Sequence, residues 1–177
     1  MDPIALDNAL GCLRPFRADD ALAVAAYANN PKIALNLRDM FPHPYALGDA
    51  ERFISMVTGE RRPSVLAIDV NGAAIGCIGL RLQEDVERVS AELGYWLAEP
   101  FWGRGITTAA VRAMVAYAMP AFGLTRIFAL PYAHNTASAR VLEKAGFRLE
   151  ARLRRAVIKD GVVLDQLQYA INDDHKG

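Results

Sequence analysis

Between residues 89 and 108 the chain changes its periodicity once, and that change limits the possible folds more than any other stretch. Residues 89–97 alternate and carry aromatic and apolar bulk, the pattern of a strand. Glu99-Pro100 ends it, since proline cannot donate to a ladder. Gly103-Arg104-Gly105 then opens a segment in which Ile106, Ala110, Val111, Met114, Val115 and Ala118 recur at helical spacing. A strand that feeds glycines into a helix start makes a concave row of backbone N–H groups, which favours an anion such as a pyrophosphate. The same glycines are also explained by the need to turn the chain. The dinucleotide fingerprint is not met, because its third glycine position is Thr108, and no Gly-Lys-Ser/Thr follows as in a P-loop.

The rest of the chain arranges itself around this unit. Residues 11–16 form a short strand, with Pro15 suggesting a sheet edge. Asp19 and Asp20 precede an alanine-rich helix as acidic residues of its first turn, and Asn29-Asn30-Pro31 stops it. Residues 32–45 have no clean period and contain Pro42-His43-Pro44, as a partly irregular loop does. A second helix spans 48–58 and buries Phe53, Ile54 and Val57. Residues 64–70 and 73–82 are strands around Asn71-Gly72, a two-residue hairpin turn in which both residues take positive φ. Gly76 and Gly79 in the second strand mark a bend or a close backbone neighbour. After the 103–122 helix come a strand at 125–130, a helix at 135–145 closed by Gly146, and strands 147–157 and 162–171 joined by Lys159-Asp160-Gly161. Antiparallel hairpins thus flank a strand–helix–strand unit, a mixed α+β arrangement.

The 177 residues are expected to form one domain, residues 1–177. Apolar residues at 53% supply a core. Lys plus Arg and Asp plus Glu number 20 each, so there is no global field to gather nucleic acid or a membrane surface. No stretch approaches the roughly 20 apolar residues of a membrane helix. Cys12 and Cys77 give neither a disulfide framework nor metal spacing, and the Met-Asp-Pro start lacks the basic region of a signal peptide. A reduced, cytoplasmic protein without a metal is expected.

The run Trp96-Leu97-Ala98-Glu99-Pro100-Phe101-Trp102-Gly103-Arg104-Gly105-Ile106-Thr107-Thr108 resembles the acyl-CoA-binding motif of the GNAT N-acetyltransferase superfamily. Asn135-Thr136-Ala137-Ser138-Ala139-Arg140-Val141-Leu142-Glu143-Lys144-Ala145-Gly146-Phe147 resembles the second signature of its RimJ/RimL-like branch. Phe41-Pro42-His43-Pro44-Tyr45 with Asp49-Ala50-Glu51 is similar to the same branch. Trp102 stands where the superfamily usually has Gln or Arg, and Thr107 where it has Gly or Ala. The resemblance implies a mostly antiparallel sheet of about seven strands with flanking helices, splayed at a central parallel pair. It also implies acetyl-CoA as co-substrate and a primary amine, a protein N-terminus or a small molecule, as acceptor.

Acyl transfer from a thioester to an amine needs a held thioester, a neutral amine and a place for the leaving thiolate. By resemblance the pyrophosphate goes to the N–H groups of Gly103, Arg104, Gly105, Ile106 and Thr107, next to Trp102. The pantetheine arm lies along Trp96, Leu97 and Ala98 and bonds Asn135. The Arg104 side chain either adds a charge-assisted bond or is solvated, and Asn135 is also a helix N-cap. The Thr107 hydroxyl meets a phosphate oxygen or caps the helix. An alkyl ammonium has a pKa of about 10.4, so a carboxylate must take its proton. Glu92 is the candidate, on the strand face shared with Gly94 and Trp96 and opposite Leu93, Tyr95 and Leu97; its alternative is a salt bridge to Arg81. Ser138, one turn past Asn135, is the donor to the thiolate or a small packing residue, with Tyr45 as substitute.

His43 either lines the substrate mouth or is a surface histidine. His134 has no visible partner and His175 falls in a polar tail. Arg148, Arg152, Arg154 and Arg155 are a solvated face. Two other functions fit the same residues: a non-catalytic CoA-binding sensor or docking domain, and a nucleotide-binding domain. Exposed edge strands make a homodimer plausible.

Overall fold

The structure, a computed structural model, describes residues 1–173, so His175 lies outside the described residues. In chain order, β1 (Ile4–Ala5) and β2 (Cys12–Arg14) precede helices α1 (Ala21–Ala28), α2 (Pro31–Ala34) and α3 (Leu47–Val57). Then come β3 (Val65–Val70), β4 (Ala73–Leu82), β5 (Ser90–Leu97), α4 (Ile106–Phe122), β6 (Arg126–Ala129), α5 (Thr136–Lys144), β7 (Arg148–Lys159) and β8 (Val162–Asn172). The sheet has eight strands in the order β1-β2-β3-β4-β5-β6-β8-β7, antiparallel except for the β5–β6 pair. This is the expected mixed α+β arrangement with one strand more than seven. The extra strand is β1, whose two pairings, Ile4↔Leu13 and Ala5↔Cys12, cover β2. β2 is therefore not the edge that Pro15 suggested; Pro15 falls just past it, and its other side pairs with β3.

Local chemistry explains the turns. Asn71 and Gly72 take φ of 54° and 86°, the left-handed values that a tight hairpin needs, and Gly72 N–H donates to Asp69 Oδ1 at 2.8 Å. The 32–45 stretch is less irregular than expected at its start. Asn30 Oδ1 accepts from Lys32 N–H at 2.9 Å, and Pro31 sits at the first helical position, where its missing N–H is harmless, so α2 forms.

Strand alternation sends apolar residues to both faces. Leu66, Ile68, Ile78 and Leu93 pack with Ala110 and Met114 of α4. Ala67, Ala74, Cys77 and Trp96 pack with Val24 and Ala28 of α1 and Ile54 of α3. A buried ion cluster ties α1 to the sheet: Arg14 donates to both oxygens of Asp20 and to Asp69 Oδ2, each at 2.7 Å. Asp20, acidic at the start of the helix as its sequence position suggested, is also a buried partner of Arg14.

One interruption positions the site. β5 and β6 pair only at Ser90↔Arg126, Ala91↔Ile127 and Glu92↔Phe128, although β5 continues to Leu97. Beyond β6 the chain turns toward β8: Gln166 Nε2 donates to Leu130 O at 3.2 Å, and Leu167 N–H donates to Pro131 O at 2.9 Å. Pro131 has no N–H to offer β5. The parallel pair therefore splays, as the family resemblance implied. Among the described residues no helix is long and apolar enough to cross a membrane.

Candidate active site

The splay opens a cleft of about 380 Å³ between β5, β6, α2 and α5. Two bonds fix which backbone groups face it. Gln83 N–H donates to Ser90 O at 3.0 Å and Ala98 N–H donates to Ile75 O at 2.8 Å, so the even-numbered residues of β5 bond β4. The odd-numbered Tyr95 and Leu97 turn their N–H and C=O groups toward the gap, where β6 no longer answers them. Trp102 Nε1 donates to Leu97 O at 2.7 Å and takes one of these carbonyls. This shifts the expected backbone contacts by one residue. Ala98 is fully buried with its N–H committed to Ile75, so it does not reach the cleft. Trp96 and Leu97 line it.

The cleft runs on into a second groove of about 240 Å³ between the start of α4 and α5. Gly103 and Gly105 have φ of 75° and 80°, and Gly105 caps α4 with no side chain reaching the first-turn N–H groups. Thr107 does not cap the helix; it lies where both spaces meet. Arg104, Arg140 and Lys144 line the groove, with the Arg104 guanidinium 5.4 Å above the Phe101 ring. Free amides and three cations around one depression suit a diphosphate. Ile106 is largely buried beneath them.

Asn135 and Ser138 share one face of α5, as their spacing demanded. Asn135 Oδ1 accepts from Ser138 N–H at 3.0 Å as the N-cap, which leaves its NH2 group for another partner. The Ser138 hydroxyl lies 2.8 Å from the Tyr95 hydroxyl. Tyr95 is a site residue that the sequence reading placed only by face. Burial pushes its phenol up to about 12, with the Ser138 bond pulling the other way.

Glu92 lies across the strand from this pair, on the Gly94 and Trp96 face, and its half-buried carboxylate lines the cleft. Arg38 Nη2 donates to its Oε1 at 2.5 Å, and Arg81, its register partner in β4, donates to Oε2. The expected Arg81 salt bridge is present together with a cleft-facing position. Arg38 had no signal in the sequence, because it comes from an aperiodic loop.

Other expectations are corrected. Tyr45 is buried, its ring tilted by 36° against Phe41 at 4.9 Å, with its phenol pushed up to about 12 by burial and then by Asp49; it lines neither space, away from Ser138. His43 is exposed and lines neither space. His134 does have a partner, Asn36 Oδ1 at 3.1 Å from Nε2. Cys77 is an inert thiol, pushed up to about 12 by burial. Among the described residues no group of His, Cys, Asp and Glu could hold a metal ion.

Comparison with known proteins agrees with this geometry. The Acetyltransferase (GNAT) domain family matches residues 12–148. A Bacillus subtilis (strain 168) protein named "Putative ribosomal N-acetyltransferase YdaF" is 35% identical over 101 residues, covering 57% of this chain and 55% of its own length. The N-acetyltransferase YoaA of the same organism, named as uncharacterized, is 29% identical over 163 residues, 90% of this chain and 91% of its own length. The structure of Mycobacterium smegmatis RimJ in complex with CoA-disulfide superposes with a TM-score of 0.83 at 28% identity, over 99% of this chain and 88% of that one.

Proposed function

The chain belongs to the GNAT acetyltransferase family, on its RimJ/RimL-like branch, and from that premise we propose that it moves an acetyl group from acetyl-CoA to a primary amine by direct transfer. The whole chain acts as one cytoplasmic catalytic domain, and the acceptor is a protein N-terminus or a small amine. The observation that carries this reading is the three-residue β5–β6 pairing, which leaves a cleft joined to the uncapped start of α4.

The thioester supplies the activated acetyl carbon. The residues do the rest. The α4 amides with Arg104 hold the diphosphate, and the open groups of Tyr95 with the Asn135 NH2 align the amide-bearing arm. Glu92, directly or through a water, takes the ammonium proton so that the neutral amine can attack, and the second N–H proton passes to solvent as the C–N bond forms. As the C–S bond breaks, the Ser138 hydroxyl, held by Tyr95, donates a hydrogen bond to the leaving thiolate, which then takes its proton from solvent. The two groups reach the reacting centre from opposite faces of the sheet, so amine and thioester need not share an entrance. Neither cysteine is placed to form an acyl-enzyme.

The engagement of both Glu92 oxygens by arginines favours a second reading, a CoA-binding sensor in which Glu92 is structural. Free-CoA release with a panel of amines separates the two. For the transferase, Glu92→Gln lowers kcat by about 10²–10⁴. Calorimetry then shows acetyl-CoA affinity within about twofold of the unsubstituted protein, a difference under 0.5 kcal/mol. An unchanged kcat removes Glu92 from the mechanism, and tight CoA binding without any acceptor supports the sensor.

A further inference from the structure

The two arginines on Glu92 are not equivalent. Arg81 stands directly opposite Glu92 in the β4–β5 register and does not line the cleft, so its ion pair belongs to the sheet. Arg38 comes from the loop after α2, lines the cleft, and keeps 56% of its side chain exposed while touching Glu92 Oε1. That loop is fixed on both sides of Arg38. Tyr132 Oη donates to Leu37 O at 3.3 Å, and Lys159 Nζ, from the tip of the β7–β8 hairpin, donates to Asp39 Oδ1 at 2.8 Å. Arg38 is therefore a placed cation rather than a solvated arm.

Two guanidiniums against one carboxylate leave an excess positive charge at this end of the cleft. Lys32, the other cation there, is already paired with Glu99. A guanidinium fork bonds carboxylates well, and Arg38 has donors to spare beyond the one given to Glu92. Glu92, in contrast, has no oxygen free of a cation, although a base must receive a proton.

We propose that the acceptor is a primary amine carrying its own anionic group, a carboxylate first of all, and that this anion draws Arg38 off Glu92 Oε1, freeing that oxygen to take the amine's proton. The inference deepens the N-acetyltransferase reading and rests on it. No further bond is made or broken: one guanidinium changes carboxylate partner, and one proton passes from ammonium to Glu92. An amine without an anion leaves Oε1 masked, and a polyamine meets like charge. A free amino acid and a peptide N-terminus followed by an acidic residue present the same chemistry, and one of them is the acceptor class.

Initial rates on the intact protein with saturating acetyl-CoA test this through matched acceptors. These are β-alanine against β-alaninamide and a diaminopropane, and the amidated dipeptide Ser-Asp against Ser-Asn. The expected result is kcat/KM about 10–100-fold higher for the carboxylate in at least one set, as one charged hydrogen bond supplies, with the diamine lowest. The set that shows the preference identifies the source. Arg38→Gln brings the ratio close to one. Equal or better use of the amides or the diamine, or an unchanged ratio in Arg38→Gln, overturns the proposal. If no amine is acetylated, calorimetric titration of the same acceptors onto the CoA-bound protein decides separately. Carboxylate-dependent binding that Arg38→Gln abolishes upholds the recognition while the transferase reading falls; equal binding, or none, overturns it.

Discussion

Gly76 is where the cleft and the stability of the sheet meet. It lies opposite Leu97 in the β4–β5 register, and a Cβ added there would stand 2.5 Å from Trp96 O and 3.2 Å from both Leu97 Cα and Leu97 Cδ1. Even close carbon–oxygen contacts between strands keep about 3.3–3.6 Å, so Gly76→Ala forces the strands apart by about 0.8–1.1 Å. The obstacle is backbone and cannot swing aside. Overpacking of this kind costs about 1–3 kcal/mol, and at this chain length each kcal/mol moves Tm by about 2–4 °C. The variant should melt roughly 2–12 °C lower and bind CoA more weakly, because the displaced residues, Trp96 and Leu97, form the cleft wall. Gly94→Ala is the control. Its Cβ meets nothing within 4 Å, so stability holds or rises by up to about 1 kcal/mol, while the methyl stands in the cleft between Glu92 and Trp96 and lowers kcat/KM for the acceptor. Calorimetric melting and CoA titration read both. A Gly76→Ala melting point within about 1 °C of the parent, or a Gly94→Ala drop as large as that of Gly76→Ala, refutes the reasoning.

Two further outcomes test the parts that hold the site. Ser138→Ala should lower kcat by about 10²-fold with little change in acetyl-CoA affinity, and Tyr95→Phe by about tenfold, since it removes the Ser138 partner but keeps the donor; equal rates in stopped-flow thiol release would exclude the pair. Arg14→Met leaves Asp20 and Asp69 buried without their guanidinium and should lose about 3–5 kcal/mol in urea unfolding at neutral pH. Burial raises the Asp20 carboxyl, but the Arg14 and Arg17 contacts outweigh it and hold it below the usual range. The parent therefore keeps this stability above the ordinary aspartate value and loses it only as pH falls through the depressed one. In the variant the Arg14 contacts are gone and only those of Arg17 oppose burial, so the gap between the two should narrow as pH falls from about 7 to about 4.

Much of the fold was legible because its signals are local. Asn71-Gly72 announces a hairpin, since those residue types take positive φ at little cost, and Gly103, Gly105 and Gly146 mark helix boundaries for the same reason. Alternation placed Glu92, Gly94 and Trp96 on one face of β5, and helical spacing placed Asn135 and Ser138 together. These follow from periods of two and 3.6 residues, which a chain carries whatever it packs against. What the periods cannot carry is the distance between segments far apart in sequence.

The sequence by itself determined the mixed strand–helix order, the helix start open to an anion, and the family motifs that lie on it. Only the tertiary structure decided that Arg38 meets Glu92 across 54 positions, that Tyr95 holds Ser138 across 43, and that Tyr45 turns into the core and away from the cleft. It also decided where the parallel pair parts, because that depends on Leu130 and Pro131 giving their carbonyls to β8. Local pattern fixes which way a side chain faces. Which partner it meets there is set by the packing of the whole sheet, where each buried polar group must find an answer that no short stretch contains.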